Sequence, residues 1–156
     1  MNNNISLNNI EGVYLSELKQ IPDERGSVLH MMRNDEEIFK SFGEIYFSEV
    51  FPGAVKAWKF HHAQTQNFAV PIGRMCVVIY DDRKNSLTHG NIQVIELGRP
   101  DLFLRLTIPP KLWYGFTCIS ETSALLANCA DLPYDANESI IKPADDKSIP
   151  YKWNHD

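Results

Sequence analysis

The chain has 156 residues, of which 44% are hydrophobic and 22% charged, as is typical of a globular protein with one domain. Its net charge of −5 argues against a nucleic-acid partner, which would require a basic face to contact phosphates. Residues 1–9 lack the basic and apolar regions of a signal peptide, and no apolar run is long enough to span a membrane. We therefore expect a disordered tail at 1–9, a single domain at 10–156, a cytoplasmic location and no membrane partner.

Apolar and β-branched runs recur along the chain, separated at short intervals by Gly, Pro and Asp. In chain order, the predicted strands are Val13–Ile21, Ser27–Met32, Glu44–Phe51, Val55–His61, Asn67–Pro71, Met75–Tyr80, Ile92–Leu97, Leu102–Ile108, Gly115–Ile119 and Ala124–Cys129. Asp35–Phe42 follows a cap signal and is predicted as a short helix. The segment from Glu138 to Trp153 is expected to pack back over the strands. So many short strands predict an all-β sandwich or barrel.

The predicted strand Val55–His61 carries the most informative pattern. Because side chains alternate along a strand, Lys59 and His61 share one face, about 7 Å apart, whereas Lys56 and Trp58 share the other face with His62. A lysine points into a protein interior only when it is paired or used. If this face points inward, Lys59 and His61 therefore form a polar patch inside a cavity.

Several short motifs follow one another in a recognisable order. They are Asp23-Glu24-Arg25-Gly26, the Lys56–His61 strand, Gly73 with Tyr80-Asp81-Asp82-Arg83, Ile108-Pro109-Pro110 with Tyr114-Gly115-Phe116, and Ile149–Trp153. This order resembles the dTDP-4-dehydrorhamnose 3,5-epimerase family. The resemblance implies a cupin, that is, a double-stranded β-helix (jelly-roll) barrel. It also implies a homodimer formed by exchange of N-terminal strands, and a nucleotide-linked 4-keto-6-deoxy sugar as substrate, in cell-surface polysaccharide biosynthesis, with no cofactor.

The chain departs from the family pattern at most of the chemical positions. Family members carry Arg-Gly-Leu-His-Tyr-Gln on the active strand, and the matching stretch here places Lys59 where the family has its histidine base. A family lysine falls near Gln66, and the catalytic tyrosine falls on Ala127. The acidic partner of the base falls near Asp145 or Asp146.

A second cupin family, the nucleotide-sugar 3,4-ketoisomerases, is similar on the same strand. Its members carry a His-x-His pair whose second histidine is a base, together with a tyrosine one strand earlier. Lys59 and His61 match the spacing of that pair, and Tyr46 falls at the position of the tyrosine. On this alignment the first histidine is lost, while His61 and Tyr46 are retained.

Both families remove a proton from the carbon beside a keto group and stabilise the resulting enolate. His61 suits the role of base because histidine titrates near neutral pH. Lys59 is better suited to balance the charge of the enolate oxygen. Asp145 or Asp146 is expected to orient His61, and Tyr46 is a candidate second proton carrier. The alternative is that His61 is a structural, hydrogen-bonded group and that Lys59 faces solvent.

The substrate-binding candidates come mainly from the resemblance. Arg25 and Lys56 match arginines that contact the nucleotide, and Asn67 belongs to the same set. Trp58 and Tyr114 are candidates for stacking on the base or sugar, although aromatic residues on strands more often belong to a core or an interface.

Two other functions remain open at this stage. The first is a cupin that binds a sugar nucleotide without catalysis, which the losses at the family's chemical positions favour. The second is a metal-dependent cupin, but protonated Lys59 would be a poor first ligand, and adjacent His61 and His62 point to opposite faces of a strand. We therefore predict no metal.

Overall fold

A computed structural model describes residues 10–153, so the tail predicted at 1–9 lies outside the described residues. These residues form strands β1 (Tyr14–Glu17), β2 (Gln20–Asp23), β3 (Gly26–Leu29), β4 (Glu44–Val50), β5 (Val55–His61), β6 (Gln66–Ile72), β7 (Arg74–Tyr80), β8 (Ile92–Gly98), β9 (Leu104–Ile108), β10 (Trp113–Cys118), β11 (Ala124–Ala130) and β12 (Ser139–Ile141). None of the described residues belongs to a helix that could cross a membrane.

The strands form two five-stranded antiparallel sheets and a separate hairpin. The first sheet has the order β1-β9-β6-β11-β4, the second has the order β12-β5-β10-β7-β8, and β2 pairs with β3. The chain crosses from the first sheet to the second at Gly73, between β6 and β7. Gly73 has φ +74°, and an added Cβ would lie 2.7 Å from Ala124, so this crossing requires glycine.

The second sheet is apolar on both faces, as β7 shows. Met75, Val77 and Ile79 project into the main core between the two sheets. Val78 projects the other way, into a second cluster built around Trp58, Trp113 and Ile149. The C-terminal segment supplies Ile149 and therefore packs back over the second sheet, as the sequence predicted.

The all-β prediction is confirmed, but two predicted elements are wrong. The stretch Val13–Ile21 is divided between β1 and β2. Asp35–Phe42 forms turns instead of a helix. Glu36, inside that stretch, forms an ion pair of 2.5 Å with Arg105, whose side chain is 3% exposed. Because a buried guanidinium needs a carboxylate partner, this tertiary contact outweighs the local helix signal.

Candidate functional site

A cavity of about 490 Å³ lies between the two sheets. Strands β4 and β5, which belong to different sheets, both contribute to its lining. The sequence-predicted residues on its wall are Tyr46, Lys56, Trp58, Lys59, His61 and Tyr114. Glu44, Tyr134, Asp135 and Glu138 also line the cavity, although the sequence did not point to them.

His61 lies between two hydrogen-bonding partners at the end of β5. Its Nδ1 is 2.6 Å from Glu138 Oε2, and its Nε2 is 3.0 Å from the Tyr114 hydroxyl. The other carboxylate oxygen of Glu138 accepts hydrogen bonds from the backbone N–H groups of Ala63 (2.6 Å) and Gln64 (2.7 Å). Since a carboxylate only accepts hydrogen bonds, Nδ1 carries the hydrogen and Nε2 of the neutral ring is the basic nitrogen.

The electrostatics of this pair favour a neutral imidazole. Burial lowers the pKa of His61 below its ordinary value, and this effect outweighs the hydrogen bond and charge of Glu138, which act in the opposite direction. Burial alone would raise the pKa of Glu138, but the hydrogen bonds from Ala63, His61 and Gln64 lower it overall. At neutral pH the site therefore contains an ionised Glu138 beside an uncharged His61 that is able to accept a proton.

Tyr114 is part of this hydrogen-bonded group. Its ring stacks on His61 with an interplanar angle of 7°, and its side chain is buried. Burial raises the pKa of Tyr114 well above its ordinary value, so the hydroxyl keeps its hydrogen and donates it to His61 Nε2. Tyr114 thus holds the ring in the tautomer that Glu138 selects.

The two lysines of β5 face the same cavity. Lys59 is half-buried, and no group within residues 10–153 accepts a hydrogen bond from its ammonium. Lys56 donates to the Glu49 carbonyl at 2.9 Å. Strict alternation would place Lys56 on the opposite face, but the pairing of β10 with β5 shifts register between Tyr114 and Phe116. This irregularity brings Lys56 to the cavity.

Tyr46 enters the cavity from β4, in the other sheet. Its hydroxyl accepts a hydrogen bond of 2.9 Å from the side-chain amide of Asn128. Burial raises the pKa of Tyr46, and the bond from Asn128 partly offsets this effect. Tyr46 is therefore protonated at neutral pH, on a different wall of the cavity from His61.

Comparison with known proteins identifies the family. The profile described as dTDP-4-dehydrorhamnose 3,5-epimerase matches residues 8–156. The chain belongs to this family. The resemblance and the cupin fold predicted from the sequence are thus confirmed, and the chain is a member of a family of sugar epimerases.

Three relatives match nearly the whole length of this chain. A crystal structure described as a dTDP sugar isomerase from Desulfovibrio desulfuricans G20 is 53% identical, with a TM-score of 0.91 and 92% of each chain covered. The spore coat polysaccharide biosynthesis protein SpsL of Bacillus subtilis is 31% identical over 93% of this chain and 97% of its own. The probable low-salt glycan biosynthesis epimerase Agl13 of Haloferax volcanii is 35% identical over 92% of this chain and 89% of its own.

The structure places Arg25 and Asn67 away from the open cavity and leaves Trp58 too buried to stack on a ligand. Arg25 lies in the β2–β3 hairpin, paired with Asp23 and with 81% of its side chain exposed, and does not line the cavity of its own chain. Asn67 and Phe68 project from opposite faces of β6. The Asn67 side chain accepts a hydrogen bond from Thr107 and donates one to the Cys129 carbonyl. Trp58 touches the cavity, but its indole is fully buried in the second cluster and unavailable for stacking.

The carboxylate that orients His61 is Glu138, and the prediction of Asp145 or Asp146 is wrong. Asp146 binds Ser148 instead, and Asp145 lines a separate hollow formed by residues 144–153. The sequence contained one usable signal: the triplet Ser139–Ile141 forms β12, in which Ser139 pairs with His61. Recognising this short strand would have placed Glu138 beside the histidine.

Two positions at which the sequence departs from the family pattern also have clear locations. Gln66 is buried and accepts a hydrogen bond from Asn128 at 2.6 Å. Ala127 pairs with Phe47 of β4 and does not line the cavity. Within residues 10–153 there is no group of three or more His, Cys, Asp and Glu side chains arranged to hold a metal ion. The absence of a metal requirement stays a prediction.

Proposed function

We propose that the protein inverts a carbon next to the keto group of a nucleotide-linked 4-keto-6-deoxy sugar, with His61 as the base. The observation that carries this proposal is the Glu138–His61 pair at 2.6 Å on the wall of an open cavity. A neutral histidine whose Nδ1–H is held by a carboxylate has its other nitrogen ready to accept a proton. Family membership supports the reaction type.

In the first step, the Tyr114 hydroxyl turns away from His61 Nε2 as the substrate binds. Nε2 then takes the proton from the carbon beside the keto group, and the C–H electron pair becomes part of an enolate. The negative charge gathers on the former keto oxygen. Lys59, whose ammonium has no acceptor among the described residues, supplies the balancing charge. A preformed cation in a partly dehydrated cavity is an effective stabiliser of such an oxygen.

In the second step, the carbon receives a proton from the opposite face, and Tyr46 is the donor. His61 lies on β5 and Tyr46 on β4, and these strands belong to opposing sheets. Removal of a proton on one side and delivery on the other inverts the centre. Solvent in the open cavity then returns a proton to Tyr46 and removes one from His61.

Substrate binding is assigned to the lysine-containing part of the cavity. Lys56 provides a positive charge for the diphosphate, and thymine is supported as the base by the description of the relative that is 53% identical as a dTDP sugar isomerase. No metal or organic cofactor takes part in the proposed steps. Elemental analysis of the purified protein tests the metal prediction directly.

A homodimer and a cytoplasmic location complete the proposal. The edge strand β4 exposes Ile45 (51%) and Phe47 (61%), which supports an apolar contact with a second chain. Sedimentation velocity measures the oligomeric state, and cell fractionation tests the location.

The decisive experiment is deuterium wash-in from D₂O into dTDP-linked 4-keto-6-deoxy sugars, followed by NMR at C3 and C5. Label with inversion at one or both carbons supports epimerisation and shows which centres react. Migration of the keto group to C3, with label at C4 of the product, would identify a 3,4-ketoisomerase, which the retention of His61 and Tyr46 in the cavity favours as the second candidate. Saturable binding without label would leave a non-catalytic binding protein. As the control, His61→Asn should incorporate no label while its binding of dTDP stays unchanged.

A further inference from the structure

A row of buried side-chain amides lies behind Tyr46. Asn128 is 0% exposed, Gln66 1% and Gln64 3%, and the three are joined by hydrogen bonds. Buried amides of this kind are costly unless every group is satisfied. Each side-chain amide has an NH₂ group that donates and an oxygen that accepts. A contact between one of these amides and a backbone group therefore fixes which way every amide in the row is turned.

One end of the row is fixed by a carbonyl. Gln64 Nε2 lies 2.6 Å from the Leu132 carbonyl, which only accepts, so the other end of the Gln64 amide is its oxygen. That oxygen accepts from Gln66 Nε2 at 2.8 Å. Gln66 therefore turns its own oxygen to Asn128, which donates to it from Nδ2 at 2.6 Å.

The other end is fixed independently by a backbone N–H group. The amide of Asn67 donates to Asn128 Oδ1 at 3.0 Å. This contact also requires that Nδ2 is the atom facing Gln66 and Tyr46. The two anchors agree, so no amide in the row can be flipped without leaving a buried group unsatisfied.

The consequence falls on the Tyr46 hydroxyl, which lies 2.9 Å from Asn128 Nδ2. It must accept this bond, and no acceptor within residues 10–153 takes its own hydrogen. We propose that Asn128, held by Gln66 and Gln64, is a positioning residue that forces Tyr46 to direct its hydroxyl hydrogen into the cavity as a donor to substrate. The inference rests on the proposed function for its catalytic meaning, although the direction of the hydrogen bond does not.

The test compares Tyr46→Phe, Asn128→Asp and the double variant. In Asn128→Asp the new carboxylate would accept from Tyr46 and turn its hydrogen away from the substrate. We expect Tyr46→Phe to lower kcat by about 10²-fold. We expect Asn128→Asp to lower kcat at least about tenfold while KM stays within about twofold, and the double variant to be no slower than Tyr46→Phe.

Thr107→Val is the matched control, because it removes a buried hydrogen bond to Asn67 on the opposite face of the sheet. A loss of stability alone would affect Asn128→Asp and Thr107→Val alike. We expect Thr107→Val to lower Tm without changing kcat, because Thr107 does not contact Tyr46 or Asn128. If Asn128→Asp does not fold, Asn128→Leu removes the donor without adding a charge. Multiplicative losses in the double variant would overturn the positioning role.

A second measurement needs no substrate. The ¹³Cζ resonance of labelled Tyr46, assigned by its absence in Tyr46→Phe, should shift in the Asn128 variant and stay in place in Thr107→Val. An unmoved resonance would overturn the inference, whatever the activity. If instead the resonance shifts but the wild-type protein exchanges no sugar proton, the hydrogen-bond direction stands, and the proposed reaction and the positioning role both fall.

Discussion

Replacement of Glu138 by glutamine tests the proposed base most directly. One oxygen of Glu138 accepts hydrogen bonds from the backbone N–H groups of Ala63 and Gln64. The other accepts a hydrogen bond of 2.6 Å from His61 Nδ1–H. In Glu138→Gln only one oxygen remains. If it faced His61, two backbone donors would meet an NH₂ group, at a cost of about 1–3 kcal/mol each. The oxygen should therefore face the backbone, and the NH₂ group should donate to Nδ1.

This orientation places the imidazole hydrogen on Nε2, so His61 can no longer accept a proton there. A preference of about 2 kcal/mol leaves roughly 3% of the active tautomer, and comparable changes in serine-protease triads lower kcat by about 10⁴. We expect the deuterium wash-in rate of Glu138→Gln to fall by about 30-fold to 10⁴-fold while dTDP binding and Tm change little.

The matched control for this variant is Asp146→Asn, which makes the same chemical change in the C-terminal segment. The Asp146 carboxylate binds Ser148 and does not reach His61, so the wash-in rate should be unchanged. A folded Glu138→Gln protein that exchanges the sugar proton at the wild-type rate would refute the reasoning, as would a loss of activity in Asp146→Asn alone.

Three further predictions concern charge. Lys59→Gln should lower kcat by about 10²–10³ with little change in KM, measured by wash-in, because the proposed counter-charge acts only on the enolate; a change confined to KM would instead indicate ground-state binding. The pKa of His61 is lowered by burial, so the wash-in rate should be flat above about pH 6.5 and fall only below that value, as the ring becomes protonated. Over the same acidic range the unfolded chain binds the proton more readily than the folded protein, so the free energy of unfolding should decline. Asp81→Asn should lower the free energy of unfolding by about 3–5 kcal/mol in urea titrations, because it breaks a fully buried carboxylate's pair with Arg83, yet leave kcat of the folded protein unchanged.

The strands were predictable because their signal is local. Val55–His61 was predicted with the bounds that the structure shows, and Met75–Tyr80 was one residue short of β7. Alternation along the chain also placed Lys59 and His61 on one face correctly. In contrast, the predicted helix at Asp35–Phe42 depended on a cap signal that the ion pair between Glu36 and Arg105 overrides.

The partners of the functional side chains were not predictable in the same way, because they are distant in sequence. Glu138 lies 77 positions from His61, and Asn128 lies 82 positions from Tyr46. No local periodicity connects such residues; pairing between strands does. Tyr114 was expected to stack on a ligand, whereas the register of β10 against β5 places it opposite Lys59 and its hydroxyl on His61.

The same pairing explains how a member of this family can carry a lysine where the family pattern has its base. Positions 59 and 61 both line the cavity, because they are two residues apart on one strand. A histidine displaced by two residues therefore stays in the cavity, but it needs a carboxylate at its new position. The pairing of Ser139 with His61 brings the preceding residue, Glu138, to that position. In the proposed reaction, Lys59 is then left as a cation that faces the enolate.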